Sequence, residues 1–393
     1  MKFESKTVHA GDRRKPGNFV PVTTPIYTAA SYFYESMEQL DRVFGREEAG
    51  PSYARYDNPT TSALEALMTE LEGGHGAFAC SSGMMALHMA VLAALVDRPK
   101  RVVAGSVLYG ATTQMLMAVF GALGVETTFV DMCDLAAVEA AVAETKPGAV
   151  LVETITNPML RVGALDKLAT IARRAGAPLI VDNTFATPLL LRPFELGASL
   201  VVHSATKYLA GHGDVLGGVI VSDETHFETL TTLRRTLGPN MSPFESYLTM
   251  RGIKTLALRM ERQCANACRV ASWLAAHSRV ERVYFPGDPA HPDATTVTRL
   301  FPKNMYGAMV AFELKNGGKE EVFAFMDKMR MIVPATSLGD VHTMILYPAM
   351  ASHRDLAPKH RERLGISDNL VRISTGIEAI EDIIADLDQA LTT

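Results

Sequence analysis

The sequence predicts an α/β fold built around a mostly parallel β-sheet. Short apolar runs with the character of buried strands recur between residues 76 and 203: GAFAC, RVVA, TTFV, AVLVE, PLIVD and SLVVH. Segments of helical period separate them, at Met84–Val96, Leu135–Glu144 and Leu165–Ala175. Strands that alternate with helices form a parallel sheet covered on both faces, which is the basis of the prediction.

Residues 1–60 form a different kind of segment. They lack a sustained period and are rich in proline, tyrosine and hydroxyl side chains, so we expect an arm rather than a core. Residues 61–254 then carry the strand and helix alternation, which opens with a helix over 64–71. We expect Thr60 or Thr61 to cap this helix and Gly73 to end it.

After residue 254 the rhythm changes, which predicts a smaller α+β domain over 255–393. A long helix is predicted over Thr255–Ser278, followed by the proline-rich turn PGDPAHPD. The segments GAMVAFEL and LVRIS read as strands between further helices.

Composition narrows the class of protein. The chain has 393 residues, of which 48% are hydrophobic, with a net charge of −5 and a mean hydropathy of +0.09. These values match a folded globular protein, and the acidic balance offers no footprint for nucleic acid or an anionic membrane. Four cysteines are too sparse for a disulfide framework, and the charged start of the chain is unlike a secretory signal. We therefore expect a cytoplasmic protein without a membrane span.

Polar side chains at strand ends are the first functional candidates, because ligands of open α/β sheets bind beyond the carboxyl ends of strands. Asp182 ends the run PLIVD, where its carboxylate favours pairing with a cation or a protonated ring nitrogen. An N-cap of the next segment is an equally good interpretation from this fragment alone.

Two further motifs follow strands. Lys207 lies just beyond SLVVH, and a lysine in a poorly hydrated pocket can act as a neutral amine that forms a Schiff base. The segment SSGMM opens a helix, so its N–H groups suit a phosphate, and Ser204 and Thr206 add hydroxyl donors. Alone, the lysine reads as solvated and the serine–glycine pair as a cap.

Together, a phosphate cradle, a reactive lysine and a carboxylate for a ring nitrogen meet the demands of pyridoxal phosphate. The chain resembles, over essentially its whole length, the Cys/Met metabolism family of fold type I pyridoxal phosphate enzymes. This family includes cystathionine gamma-synthase, cystathionine and methionine gamma-lyases and the homoserine-ester sulfhydrylases. The matching motifs are VHAG, PVTTPIYTAASY, YARYDNPTTSALEALMTELEGG, SSGMMA, LYGAT, ETITNP, VDNTFATP, HSATKYLAGHGDVLGG, SPFESYLTMRGIKTLALRM, SLGD and LVRISTGIE.

The resemblance implies a large domain with a seven-stranded type of sheet, the smaller C-terminal α+β domain and the N-terminal arm. It also implies pyridoxal 5'-phosphate as cofactor and a homodimer with shared active sites, usually assembled further into a tetramer. No metal is expected, and Cys264 and Cys268 read as buried small residues.

Cofactor contacts follow from the same resemblance. Lys207 is the lysine of the Schiff base, and Asp182 pairs with the pyridinium nitrogen. Tyr109 stacks on the ring and assists departure of the gamma substituent. The phosphate is held by Gly83, Met84, Ser204 and Thr206, and by Tyr53 and Arg55 of the neighbouring subunit.

Substrate contacts complete the implied site. Arg372 grips the substrate carboxylate with two parallel hydrogen bonds, although a surface ion pair is the alternative interpretation. Asn157 and Ser337 help orient cofactor and substrate, and Tyr53 also reaches the substrate. His353 matches a histidine near the mouth of the site.

The pattern within the family favours a carbon–sulfur lyase that catalyses gamma-elimination on sulfur-containing L-amino acids of the methionine, cystathionine or homocysteine type. Ala111 stands where methionine gamma-lyases carry cysteine, and Arg234-Arg235 where they have Lys-Asp, which disfavours methionine itself. Thr336 replaces the glutamate of cystathionine enzymes, which disfavours a charged distal group. His342, where many relatives have glutamate, reads as a solvated turn residue.

Three alternatives remain beside the lyase. Gamma-replacement, by an acyl-homoserine sulfhydrylase or a cystathionine gamma-synthase, fits the segment GPNMSPF equally well. A non-catalytic pyridoxal phosphate binder is disfavoured by the presence of Lys207, Tyr109 and Arg372 together. A nicotinamide dehydrogenase is disfavoured because no G-x-G-x-x-G follows a strand.

Overall fold

The computed structural model describes residues 1–12, 20–45, 47–351, 354, 361 and 364–392. Fourteen helices and twelve strands are labelled here in chain order within this part of the chain. The helices are α1 Phe3–His9, α2 Met37–Phe44, α3 Pro59–Glu72, α4 Gly83–Leu95, α5 Gly110–Gln114, α6 Leu135–Thr145, α7 Leu165–Arg174, α8 Thr187–Leu190, α9 Glu224–Leu237, α10 Pro243–Ile253, α11 Leu256–Ala276, α12 Ala294–Leu300, α13 Lys319–Met326 and α14 Ile380–Thr392.

The strands form two sheets. They are β1 Gly76–Cys80, β2 Arg101–Gly105, β3 Glu126–Val130, β4 Ala149–Glu153, β5 Leu179–Asp182, β6 Leu200–Ser204, β7 Gly218–Ser222, β8 Val280–Tyr284, β9 Met309–Leu314, β10 Val333–Pro334, β11 Met344–Leu346 and β12 Leu370–Ser374. A π-helix, Met115–Phe120, continues α5, and a 3₁₀ turn covers Pro193–Leu196.

The large sheet has seven strands in the order β1-β7-β6-β5-β4-β2-β3. Strands β2 to β6 run parallel to one another, and β7 is antiparallel to both of its neighbours, β1 and β6. This confirms the predicted mostly parallel α/β sheet. Strand β7, GVIVS, was not predicted from the sequence. It begins at the last residue of the motif HSATKYLAGHGDVLGG, which was interpreted only as part of the site.

The alternation of side chains along the strands places an apolar layer on each face of the sheet. It also determines on which face the polar residues at the strand ends lie. Val152, Val181 and Val201 pack on one face, whereas Leu151, Ile180 and Val202 pack on the other. The next residues of the second series are Glu153, Asp182 and Ser204, which end β4, β5 and β6. Three polar side chains therefore share one face at the carboxyl edge of the sheet.

The cap of α3 differs from the sequence prediction. Asn58, and not Thr60 or Thr61, is the N-cap, and its Oδ1 accepts from the backbone N–H of both threonines, at 3.0 and 3.3 Å. Pro59 at the first helical position explains the shift, because its fixed φ already belongs to the helix. The C-terminal end at Gly73, with φ 78°, is as expected.

The second sheet has five strands in the order β10-β11-β12-β9-β8, and α11 and α14 belong to its apolar core. A bidentate ion pair joins the loop after β4 to the N-cap residue of α12. Asp293 accepts from Arg161 at Nε (2.6 Å) and Nη2 (2.9 Å) and from the Val162 N–H (2.9 Å). These bonds hold the pKa of the Asp293 carboxyl below its usual range, against the opposing effect of burial.

None of the helices in the described part of the chain is long and apolar enough to cross a bilayer.

We expect Asp293→Asn to lower the free energy of unfolding by about 1–2 kcal/mol near neutral pH, since a charge-assisted bidentate pair with a third, backbone donor is lost. Because the pKa of Asp293 is lowered in the folded state, this difference should shrink as pH falls through the carboxyl titration. Urea unfolding at pH 7 and pH 3 measures both.

The bidentate pair between Arg299 and Asp166 provides the matched control. The side chains are 43% and 27% exposed, so Asp166→Asn should cost less than about 1 kcal/mol. Equal losses for the two variants would contradict the view that burial gives the Asp293 pair its larger contribution.

Candidate active site

A cavity of about 420 Å³ opens at the carboxyl ends of β4, β5 and β6. It brings together nine of the twelve residues that the sequence analysis named, although they span residues 83–372. These are Gly83, Met84, Tyr109, Asn157, Asp182, Ser204, Thr206, Lys207 and Arg372. A tenth, Ser337, contacts the cavity residues through hydrogen bonds.

Lys207 is the reactive amine of this cavity. Its Nζ donates to Ser337 Oγ at 3.0 Å. Burial, and secondly the positive charge of Arg372, lower the pKa of the Lys207 ammonium to about 8. Roughly a tenth of the amine is therefore neutral, and nucleophilic, at pH 7, far more than for an ordinary lysine.

Arg372 lies in β12 and is 3% exposed, so the alternative interpretation as a surface ion pair is wrong. Its Nη1 donates to Asn157 Oδ1 (2.8 Å) and its Nη2 to the Ser337 carbonyl (3.4 Å). Its Nε is buried and makes no hydrogen bond within the described chain, and no described carboxylate pairs with the guanidinium. A buried guanidinium without a counter-ion is the feature expected of a carboxylate-binding arginine.

Two carboxylates, Glu153 and Asp182, lie opposite each other on adjacent parallel strands. Both also line the cavity. Burial raises the pKa of both carboxyl groups, and the negative charge of Asp182 adds to the effect at Glu153. The Asp182 carboxylate accepts from the Thr184 N–H at 3.0 Å, which is a local turn and not the cap of a helix, since α8 begins only at Thr187.

A phosphate cradle forms where α4 begins. Ser82 is the N-cap and accepts from Met85 N at 3.1 Å, and the first backbone bond of the helix is from Ala86 N to the Ser82 carbonyl. The N–H groups of Gly83 and Met84 precede this bond, so they are available to an anion. A Cβ on Gly83 would lie 2.8 Å from Ser204 Cβ, which explains why glycine is required there.

The described residues therefore fit pyridoxal 5'-phosphate. The buried Lys207 amine suits its aldehyde, and Asp182 suits its ring nitrogen. The start of α4 suits its phosphate, together with Ser204. The Thr206 hydroxyl also lines the cavity, although it is engaged with Gly217 through bonds of 3.0 and 3.2 Å.

Tyr109 lies at the N-terminus of α5, with 42% of its surface exposed at the cavity. Its backbone N–H donates to Glu153 Oε1 at 2.6 Å. An aromatic ring that is fixed at its backbone and open on one face is suited to stacking on a flat heterocycle.

Tyr53 and Arg55 do not line the cavity of their own chain. The Arg55 guanidinium lies over the rings of Tyr53 and Tyr56, at 5.4 and 5.2 Å from the centroids, and Tyr53 is 43% exposed. Their separation from the cavity is what a role in a neighbouring subunit would require, and that role stays a prediction.

Glu153 is a cavity residue that was not predicted from the sequence. The signal was available, because Glu153 ends the apolar run AVLVE just as Asp182 ends PLIVD. The apolar part of the cavity wall was not predicted either, and sequence offers no local signal for it: Leu87, Ile155, Phe185, Leu216, Leu338 and Leu346.

The cysteines and the histidine singled out in the sequence that lie within the described residues are not among those that line this cavity. Cys264 is buried and Cys268 half-buried, and the described residues contain no cluster of side chains suited to a metal. His342 is 66% exposed, with its Nδ1 at 3.0 Å from Asp340 Oδ1, and is not among the residues lining the cavity. His353 lies outside the described residues.

A second cavity, of about 720 Å³, lies beside the first between the ends of β2–β4 and the loop after β8. It shares Glu153 with the first cavity but contains none of the twelve residues named from the sequence. We assign the chemistry to the smaller cavity because three features converge there. They are the Lys207 amine, the phosphate cradle at the start of α4, and the carboxylate clamp, by which we mean Arg372 and the Asn157 that holds it.

The fold and this cavity define a pyridoxal phosphate-dependent enzyme of fold type I. Residues 4–392 match the family model described as Cys/Met metabolism PLP-dependent enzyme, and the chain belongs to this family. It is thus a PLP-dependent enzyme of the trans-sulfuration class, as the sequence analysis predicted, which sets aside the dehydrogenase and the non-catalytic binder.

Relatives within the family carry different names. The chain is 40% identical to L-methionine gamma-lyase of Pseudomonas putida, over 99% of this chain and 97% of the relative. It is 40% identical to cystathionine gamma-lyase of Bacillus subtilis, over 100% and 99%. The crystal structure of cystathionine gamma synthase from Xanthomonas oryzae in complex with cystathionine superimposes with a TM-score of 0.92, at 35% identity over 100% and 98% of the two chains.

We expect the Lys207 amine of the cofactor-free protein to titrate with a midpoint of about 8. The rate of its trinitrophenylation as a function of pH, read by peptide mass spectrometry, measures this midpoint, with the exposed Lys303 as internal reference. Arg372→Leu should move the midpoint upward but not to the ordinary lysine value, because the larger cause, burial, remains. A wild-type midpoint above 10 would refute the assignment.

Proposed function

We propose that this enzyme catalyses gamma-elimination on sulfur-containing L-amino acids, releasing 2-oxobutyrate, ammonia and a thiol at the expense of one water. The substrates are of the methionine and homocysteine type, with an uncharged distal group. One observation carries the proposal: apart from Glu153 and the groups that suit cofactor and carboxylate, the described cavity wall is neutral. It includes Ile155, Phe185, Leu216, Thr336, Leu338, Leu346 and Ala351.

Neither carboxylate of the cavity is available for a distal ammonium group such as that of cystathionine. Glu153 accepts from two backbone N–H groups, and Asp182 accepts from Thr184 N. In the proposed complex Asp182 also faces the cofactor. Burying an unpaired ammonium against the remaining wall would carry a large desolvation cost, so a thioether or thiol is the better occupant.

In the proposed reaction, Arg372 binds the substrate carboxylate through its unpartnered edge, while Asn157 and Ser337 hold the guanidinium in place. Lys207 accepts the alpha proton, for which an amine with a lowered pKa is suited. Ser337 Oγ accepts a hydrogen bond from the same Nζ and so directs the amine.

The bound cofactor would supply an aldehyde that condenses with amines and a ring that withdraws electrons from the alpha carbon. Asp182 would keep the ring nitrogen protonated, and Tyr109 would stack on the ring and assist the leaving group. The N–H groups of Gly83 and Met84, with Ser204 and Thr206, would hold the phosphate.

The proposal includes a homodimer, assembled further into a tetramer, in which Tyr53 and Arg55 complete the phosphate site of the neighbour. Large exposed apolar side chains in the same arm support the dimer: Phe33, Met37 and Phe44.

The proposal retains the division into an arm (1–60), a cofactor domain (61–254) and a C-terminal domain (255–393). It places the enzyme in the cytoplasm, where its four free cysteines stay reduced.

Gamma-replacement on an O-acyl homoserine is the second candidate. It is favoured by Arg235, whose guanidinium lies 5.4 Å from the Tyr56 ring, beside the Tyr53 and Arg55 that would enter the neighbour's site. A cation at that position would suit an acyl group that ends in a carboxylate.

The central test is 2-oxobutyrate release by the purified enzyme from L-methionine, L-homocysteine, L-cystathionine and O-acyl homoserines, each with and without a thiol. We expect release from methionine or homocysteine alone, and none from the Lys207→Ala variant. Release confined to acyl homoserine, and suppressed by thiol as a thioether forms, would replace the proposal by the second candidate.

The neutral wall generates a specificity prediction. Thr336→Glu places a carboxylate on it, so kcat/KM for cystathionine relative to methionine should rise roughly 10-fold, about 1.4 kcal/mol. Thr336→Gln, of the same size but neutral, should leave the ratio near that of the wild type. A similar rise for both variants would mean that size rather than charge acts.

A further inference from the structure

We propose that Glu153 is a positioning residue: its carboxylate holds the backbone of the stacking tyrosine and of the carboxylate clamp in one register. This inference rests on the proposed roles of Tyr109, Asn157 and Arg372. The residue ends β4 and is 7% exposed, so its side chain is fixed by the sheet and not by a mobile loop.

The first contact runs to the aromatic ring. Oε1 of Glu153 accepts from the Tyr109 N–H at 2.6 Å, across 44 residues of sequence. Tyr109 is the N-cap residue of α5, where a backbone N–H has no partner within the helix. The carboxylate therefore satisfies this donor and sets where the ring of Tyr109 can lie.

The second contact runs to the clamp. Oε2 accepts from the Asn157 N–H at 3.3 Å, and Asn157 Oδ1 accepts from Arg372 Nη1 at 2.8 Å. Movement of the Asn157 backbone would tilt the guanidinium plane, on which a bidentate grip of a carboxylate depends. One side chain thus links the two surfaces between which the substrate would react.

Both oxygens of Glu153 accept a hydrogen bond from a backbone N–H group. A glutamine has one acceptor and presents an NH₂ group to the other donor, and leucine has none. Leucine and glutamine are similar in volume to glutamate, so the series isolates hydrogen bonding from packing.

The test compares Glu153→Gln and Glu153→Leu with the wild-type holoenzyme. We expect kcat/KM to fall roughly 10- to 100-fold in Glu153→Gln and further in Glu153→Leu, because misplacement by about 1 Å can cost 100-fold. KM should rise as the clamp tilts. The induced circular dichroism of the cofactor band should fall in the same order, as the stacked ring loses its fixed orientation.

Glu65→Gln is the matched control. Glu65 is also a buried carboxylate that accepts from a backbone N–H, that of Ala79 at 3.0 Å, and from Arg234 Nη1 at 3.2 Å, but it does not line the cavity. This variant should lose thermal stability while its cofactor dichroism and KM stay close to those of the wild type.

Two outcomes would overturn the inference. One is that Glu153→Gln keeps wild-type dichroism and KM and loses only stability, as Glu65→Gln does. The other is that Glu153→Leu is more active than Glu153→Gln, which would mean that the buried charge is only a cost. Cofactor dichroism does not depend on the substrate, so it tests Glu153 even if the wild type releases no keto acid from any sulfur amino acid.

Discussion

One chain of buried and part-buried hydrogen bonds connects the two sheets of this protein and runs along the active cavity. It begins at the backbone of Tyr109 and ends at the Lys207 amine, with links of 2.6, 3.3, 2.8, 3.4 and 3.0 Å. Inside a protein, polar groups that lack partners are costly, so such a chain holds in one arrangement or fails as a unit. Its members, in order, are Tyr109, Glu153, Asn157, Arg372, Ser337 and Lys207.

Burial, and not ion pairing, is the main influence on the ionisable groups of the cavity. Burial lowers the pKa of Lys207 and raises that of Glu153 and Asp182. Arg372 has no carboxylate partner in the described chain. Buried ionisable groups without charged partners favour the binding of ligands that supply the missing partner. Here these ligand groups are an amino-acid carboxylate and the phosphate and ring nitrogen of the cofactor.

The same framework serves several reactions in the family, as the names of its relatives show: a methionine lyase, a cystathionine lyase and a cystathionine synthase. Asp182 and Ser204, which suit the cofactor, are polar and end strands, whereas Thr336, Leu338 and Leu346 form an uncharged part of the cavity wall. One or two wall side chains alter specificity by only a few kcal/mol, so reaction class and substrate are separable properties of the fold.

The sequence alone determined the fold class, the cofactor and the strand-end candidates Asp182 and Lys207, because alternating periodicity and the polarity of strand ends are local properties. It assigned the cap of α3 wrongly, since Pro59 shifted the start of the helix. It left open whether Asp182 caps a helix and whether Arg372 lies at the surface.

Only the tertiary structure decided those questions. It buried Arg372 against Asn157, gave Glu153 its two backbone donors and kept Tyr53 away from its own chain's cavity. Each of these facts depends on contacts between residues far apart in sequence. Burial and hydrogen-bond partners arise when distant segments pack together, and neither periodicity nor a motif specifies them.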